Sequence, residues 1–99
     1  MNLIVSRHPG AIEFVTTCGY EGTVVEHFNP EMVEEGMVVI GVLPLHLAAE
    51  VLNRGGRFIQ IIMPNVPAEM RGQELTPEEM LQYGATLMEV TNLQMEEVI

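Results

Sequence analysis

The sequence predicts a small α/β protein with a single Rossmann-like domain, in which helices flank a mainly parallel sheet of four or five strands. Its length of 99 residues and its hydrophobic content of 47% suit one core formed without disulfides. Short β-rich runs alternate with helical patterns, which favours parallel pairing. Residues 37–42 are apolar on both faces, as is typical of an inner strand. We therefore expect residues 1–99 to form one domain.

The first half of the chain predicts strand, helix and strand. Pro9 suits the first helical position, where the backbone N–H that proline lacks would have no partner within the helix. Gly19 suits a left-handed cap at the end of that helix. The expected elements are a strand at residues 2–6, a helix at 9–18, a strand at 23–28 that contains His27, and a helical turn from Asn29 that Gly36 ends.

The second half continues the alternation. Leu45, Ala48 and Leu52 recur at helical spacing after Pro44, and Gly55 ends that helix. Residues 64–76 form a long loop with a helical turn near 68–71, and loops of this length usually have a function. The expected elements are a central strand at 37–42, a helix at 44–53, a strand at 57–63 and a helix capped by Thr76, with residues 86–93 left open between helix and edge strand.

The predicted strand order is 2-1-3-4. In this order the chain winds outward in opposite directions from the first and third strands, so the loops that leave them flank the topological switch point. Ligands bind there in such folds. The connection at residues 29–36 is short for a crossover, so an antiparallel second strand is the alternative.

The charge balance limits the possible partners. The chain has fourteen Glu, no Asp, no Lys and four Arg, and its net charge is −10. This charge disfavours general binding to DNA, RNA or anionic membranes, so an anionic ligand must be small and held locally. The longest apolar stretch is far shorter than the roughly 20 residues of a membrane span, and no signal sequence is evident, so we expect a cytoplasmic protein. One cysteine cannot form an internal disulfide, and no metal site or cofactor is predicted.

The switch point predicts a ligand site. It would bring Ser6, Arg7 and His8 of the first loop close to the loop after the third strand. The amides of Gly10, Ala11 and Ile12 would be free to bind a phosphate at the helix start. Ligand contacts are therefore expected from the following residues: Gly10, Ala11, Gly41, Leu43, Pro44, His46 and Arg71.

The four arginines separate into two pairs. Arg7 offers a planar donor fork beside His8, which can gain or lose a proton near neutral pH. Arg71 follows the fourth strand and is expected at the same edge of the sheet. Arg54 and Arg57 precede that strand, at the opposite edge, and are predicted to be structural.

Simpler roles compete with these. Arg7 could pair with a glutamate, and His8 could cap its helix. His46 is equally explained as a surface residue, and His27 as a structural residue within a strand. The eight methionines fit an adaptable core or a dimer face.

Three strings carry a family resemblance. They are VSRHPGA at residues 5–11, VIGVLP at 39–44 with LAAEV at 47–51, and PAEMRGQEL at 67–75. In this order they resemble a small accessory family of type III CRISPR systems, the one numbered sixteen in the Csx series. In that family Asn is common at the position of His46, which argues against a catalytic role for His46.

The resemblance implies a fold similar to the CARF sensor domains and a ring nuclease that cleaves cyclic tetra-adenylate. It implies a metal-independent attack by a ribose 2′-hydroxyl, with Arg7 stabilising charge, His8 transferring a proton and Ser6 orienting the phosphate. A homodimer would suit the symmetric ligand. Two alternatives remain: a module that binds cyclic oligoadenylate without cleaving it, and a regulatory subunit that needs no nucleotide.

Overall fold

A computed structural model describes all 99 residues of the chain. Strands and helices alternate through most of its length, as predicted. Two single 3-10 turns lie in the connections, at Pro30–Met32 and Ala68–Met70. The strands are β1 (Asn2–Val5), β2 (Thr23–Val25), β3 (Val38–Gly41), β4 (Arg57–Ile62) and β5 (Thr86–Val90), and the helices are α1 (Pro9–Thr17), α2 (Leu45–Asn53) and α3 (Pro77–Gln82).

The five strands form one sheet in the order β2-β1-β3-β4-β5. The first four strands are parallel, which confirms the predicted order 2-1-3-4 and excludes the antiparallel alternative for β2. The segment after Gly84 is a strand, and it pairs antiparallel with β4. The prediction of a mainly parallel α/β domain is therefore confirmed.

Alternate strand residues build two cores on opposite faces of the sheet. On one face, α1 and α3 pack side by side over residues such as Ile4 and Ile40. On the other face, α2 covers the neighbouring positions, including Leu3 and Val39. This arrangement decides which loop residues can share a site, because α1 and α2 begin on opposite sides of the sheet.

The helices begin and end near the residues whose local sequence signals predict these boundaries. Pro9 occupies the first turn of α1, and Gly19 takes a φ of 102°, which favours glycine. Thr76 and Glu79 form a reciprocal capping box at the start of α3. No helix is long and apolar enough to cross a membrane.

One predicted element is shorter than expected. β2 ends at Val25, so His27 is not in a strand as predicted but lies exposed in the bend that follows. Only β1 pairs with β2, over three residue pairs, because β2 is the edge strand of the sheet. The chain then returns to β3 through the 3-10 turn, where the Asn29 side chain accepts from the Glu31 N–H at 3.0 Å.

Candidate functional site

An open cleft of about 690 Å³ lies at the edge of the sheet where the four parallel strands end. The loop after β1 forms one wall, and the segment 64–76 that follows β4 forms the other. The volume falls within the range of about 300–1,000 Å³ that is usual for small-molecule sites. The cleft is lined by Val5, Ser6, Arg7, His8, Ala11, Glu26, Val42, Ile61, Met63, Val66, Met70, Arg71, Gly72, Gln73, Leu75 and Met80.

Both arginines of the cleft are without an acidic partner. Arg54 pairs with Glu50, and Arg57 makes two hydrogen bonds to Glu89 at 2.8 and 2.9 Å. The hydrogen bond from Arg57 lowers the pKa of Glu89 below its ordinary value. Arg7 and Arg71 form no salt bridge or side-chain hydrogen bond, and both are exposed in the cleft. The structure therefore places Arg7 and Arg71 at the cleft and Arg54 and Arg57 in salt bridges away from it, at the positions that the strand order predicts.

Ser6 shapes the loop that carries Arg7. Its hydroxyl oxygen accepts the backbone N–H of His8 at 3.0 Å, and its own N–H donates to the Val25 carbonyl at 3.1 Å. These two bonds hold the turn against the end of β2. The backbone of this turn therefore places Arg7 and His8 on the cleft wall.

His8 occupies the N-cap position of α1, but its side chain does not cap the helix. The imidazole Nδ1 lies 2.7 Å from the Glu74 carboxylate, and the Nε2 atom has no partner in the protein. The competing prediction of a capping histidine is therefore wrong. The ring is held at the cleft by an acidic residue 66 positions away in the sequence.

Two of the three helix-start amides predicted to bind an anion already donate hydrogen bonds within the protein. The N–H groups of Ala11 and Ile12 both donate to the His8 carbonyl, at 3.0 and 3.1 Å. Ala11 lines the cleft, but Gly10 does not. A Cβ at Gly10 would overlap the Leu75 carbonyl oxygen, so the glycine permits close approach of two backbones.

Most of the loop after β3 lies outside the cleft. Gly41 is buried within β3 against the Val5 carbonyl, and the Leu43 side chain belongs to the core beneath α2. Pro44 and His46 are exposed at the start of α2, on the other face of the sheet. Only Val42 of this loop reaches the cleft. The structure therefore brings together Ser6, Arg7, His8, Ala11 and Arg71, but not Gly10, Gly41, Leu43, Pro44 or His46.

Several cleft residues were missed from the sequence. Glu26 directly follows β2, so the parallel order places it at the same edge as Arg7, but a strand extended to residue 28 hid this signal. Glu74 pairs with His8, and nothing in its sequence context indicated that contact. Met63 and Met70 supply apolar surface in the cleft, whereas the methionines were expected in the core or at a dimer face.

No group of three or more His, Cys or Glu side chains is arranged to hold a metal ion. Residues 3–93 match the model of a family described as "Putative CRISPR-associated protein (Cas_VVA1548)". This match covers almost the whole domain, including both walls of the cleft. No curated protein and no solved structure matches the chain.

Proposed function

We propose that this chain, which belongs to the CRISPR-associated family whose model it matches, is a ring nuclease. Its substrate would be cyclic tetra-adenylate, the messenger of type III CRISPR systems, in agreement with the motifs that resemble the family numbered sixteen in the Csx series. The observation that carries this proposal is the convergence of Arg7, His8 and Arg71 on one open cleft.

The chemistry of the cleft suits a nucleotide. Two unpaired guanidinium groups provide planar donors for phosphate oxygens, in a protein whose other two arginines are neutralised by glutamates. Nine of the sixteen lining residues are hydrophobic, among them Met63, Val66 and Met70. The nucleotide bases would therefore find apolar surface beside the guanidinium groups that bind phosphate. This combination favours a compact polyanion with uncharged rings over a simple inorganic anion.

The proposed reaction needs only groups that the ligand and the cleft supply. A ribose 2′-oxygen attacks the adjacent phosphorus in line, a 2′-O–P bond forms and the P–O5′ bond breaks. The 2′-hydroxyl proton passes to His8, and the departing 5′-oxygen takes a proton from water. The products are a 2′,3′-cyclic phosphate and a free 5′-hydroxyl.

Arg7 is assigned to the negative charge that develops on the phosphorus oxygens. Preorganised donors of this kind act on the transition state more than on the bound substrate. Arg71, on the opposite wall, is assigned to a neighbouring phosphate. Ser6 is assigned to orienting the phosphate through the turn that it shapes, since its hydroxyl already accepts the His8 N–H.

A homodimer is part of the proposal. One cleft of about 690 Å³ is suited to a drug-sized ligand, and a ring of four nucleotides is larger than that. Two clefts related by a two-fold axis would share a ligand that has the same symmetry. Each protomer would then supply one Arg7 and one Arg71 to the ring.

Product analysis tests the proposal. The protein, in excess over cyclic tri-, tetra- or hexa-adenylate and with EDTA present, is incubated and then denatured, and the nucleotides are separated by chromatography. We expect linear products ending in 2′,3′-cyclic phosphate from the tetra-adenylate. Recovery of the intact ring, together with a raised melting temperature, would instead identify a binding module. If the protein neither cleaves the ring nor melts at a higher temperature in its presence, only a role that does not involve a nucleotide is left.

A further inference from the structure

Glu74 contacts His8, which lines the cleft, but is not itself a lining residue. Its carboxylate oxygen is 2.7 Å from Nδ1 of His8, while Glu74 itself does not line the cleft. Its neighbours Gln73 and Leu75 do line it. Glu74 is therefore placed to act on His8 and not on a ligand.

The pairing decides which ring nitrogen carries the hydrogen. A carboxylate can only accept hydrogen bonds, so the hydrogen shared with Glu74 must belong to Nδ1 of His8. In the neutral ring Nε2 then holds the lone pair, because the hydrogen bond at one nitrogen sets the state of the other. Nε2 has no partner in the protein and is free to accept a proton.

We propose that Glu74 is a positioning residue that holds His8 in the tautomer whose Nε2 accepts the proton of the ribose 2′-hydroxyl. This inference rests on the proposed function. As the 2′-O–P bond forms, the proton moves to Nε2 and the imidazolium that results is stabilised by the Glu74 carboxylate. No proton is transferred to Glu74 itself, and in this respect it acts like the orienting acid of a catalytic triad.

The pairing also joins the two walls of the cleft. Glu74 belongs to the segment that carries Arg71, and the Leu75 backbone packs directly against Gly10 at the start of α1. The same contact therefore brings Arg71, a hydrogen-bond donor to phosphate, to the cleft and orients His8 as the base. Displacement of this segment would remove both functions together.

The test compares Glu74→Ala with Glu69→Ala. Glu69 lies in the same segment, is exposed and uses only its backbone in hydrogen bonding, so its replacement makes the same charge change without touching His8. His8 and Glu74 are both about two-thirds exposed, at 63% and 64%. Exposed pairs contribute little to stability, so both variants should fold. Melting temperatures verify this.

The first measurement is the tautomer of His8, from imidazole ¹⁵N chemical shifts of the protein without ligand, at a pH where the rings are neutral. His27 and His46 are exposed without ring partners and serve as internal references. We expect His8 of the wild type and of Glu69→Ala to carry hydrogen on Nδ1, and His8 of Glu74→Ala to resemble the two references. A His8 signal unchanged in Glu74→Ala would overturn the proposal.

The second measurement is cleavage of cyclic tetra-adenylate. We expect Glu74→Ala to lower kcat by about 10–100-fold, by analogy with the residues that orient metal-binding histidines, with KM nearly unchanged. Glu69→Ala should retain the wild-type kcat. Equal kcat for the two variants would contradict the positioning role. A wild type that holds the tautomer but cleaves nothing would overturn the assigned proton transfer and the proposed function, while leaving the His8–Glu74 geometry established.

Discussion

Arg7 and Arg71 differ from the other arginines in what surrounds them. With fourteen glutamates in the chain, a surface guanidinium has many possible partners, and Arg54 and Arg57 each have one. The two arginines without a partner both line the cleft, one from the loop after β1 and one from the segment 64–76. An unpaired guanidinium keeps its full hydrogen-bonding capacity for an incoming anion. This contrast, at single residues, is the main structural support for placing the proposed ligand in the cleft.

Arg71→Ala should weaken binding more than it slows the reaction. Arg71 is assigned to a phosphate that does not react, so its loss removes binding shared by substrate and transition state. A hydrogen bond to a charged group is worth about 1.5–3 kcal/mol, which corresponds to roughly a 10–100-fold increase in Kd. Titration of the ligand and single-turnover rates at saturation would separate the two effects. A large loss of the saturated rate with an unchanged Kd would contradict the assignment.

Gly10→Ala should destabilise the protein although the residue does not line the cleft. The added Cβ would collide with the Leu75 carbonyl, and a backbone atom can give way only if the segment 64–76 moves. Overpacking of this kind typically costs about 1–3 kcal/mol. Urea denaturation measures the change, and the His8 tautomer reports whether Glu74 has moved away. Unchanged stability together with an unchanged tautomer would show that the two backbones are not tightly docked.

At the scale of elements, the sequence predicts the starts and ends of helices where the signal lies in neighbouring residues. The proline at the start of α1, the left-handed Gly19 and the capping box of Thr76 each depend on nearby backbone geometry. The edges of the sheet were harder to predict. β2 has one neighbour and ends after three residues, and β5 is largely exposed, so neither has a strong periodic pattern. How far an edge strand extends depends on its partner strand, which the local sequence does not contain.

Glu89→Gln should reduce stability at neutral pH but not in acid. Arg57 on β4 and Glu89 on β5 tie the antiparallel edge together, and their hydrogen bond lowers the pKa of Glu89 in the folded state. A carboxylate whose pKa is lowered in the folded state stabilises the protein at pH values above the ordinary carboxyl range. This contribution to stability is lost as the pH falls through the folded-state pKa. Because the pair is exposed, the decrease in Tm should be small.

Melting curves from pH 7 to pH 3 would check this prediction. The Tm values of the wild type and Glu89→Gln should converge on the acid side. Glu97→Gln, which changes an exposed residue without a salt bridge, should follow the wild type throughout. A constant difference between wild type and Glu89→Gln down to pH 3 would contradict the role of the carboxylate charge.

At the scale of the whole molecule, the parallel order predicted the edge of the sheet at which the cleft lies, but not the side of the sheet on which each loop lies. α1 and α2 lie on opposite faces, so the loop before α2 gives the cleft only Val42, while Pro44 and His46 are directed to the other face. The opposite wall comes instead from the segment 64–76, which is held by α3 packing beside α1. That packing joins residues more than sixty positions apart. No local pattern encodes it, which is why Glu74 was missed.

The most direct test of the central claim, that this cleft cleaves a cyclic oligoadenylate, compares Arg7→Ala with Arg54→Ala. Each variant removes one exposed guanidinium, but Arg54 is already paired with Glu50 and lies away from the cleft. In single-turnover cleavage of cyclic tetra-adenylate with EDTA, we expect Arg7→Ala to be slower by about 10²–10³-fold with a much smaller change in Kd. Arg54→Ala should match the wild type. A wild-type cleavage rate in Arg7→Ala would contradict the account.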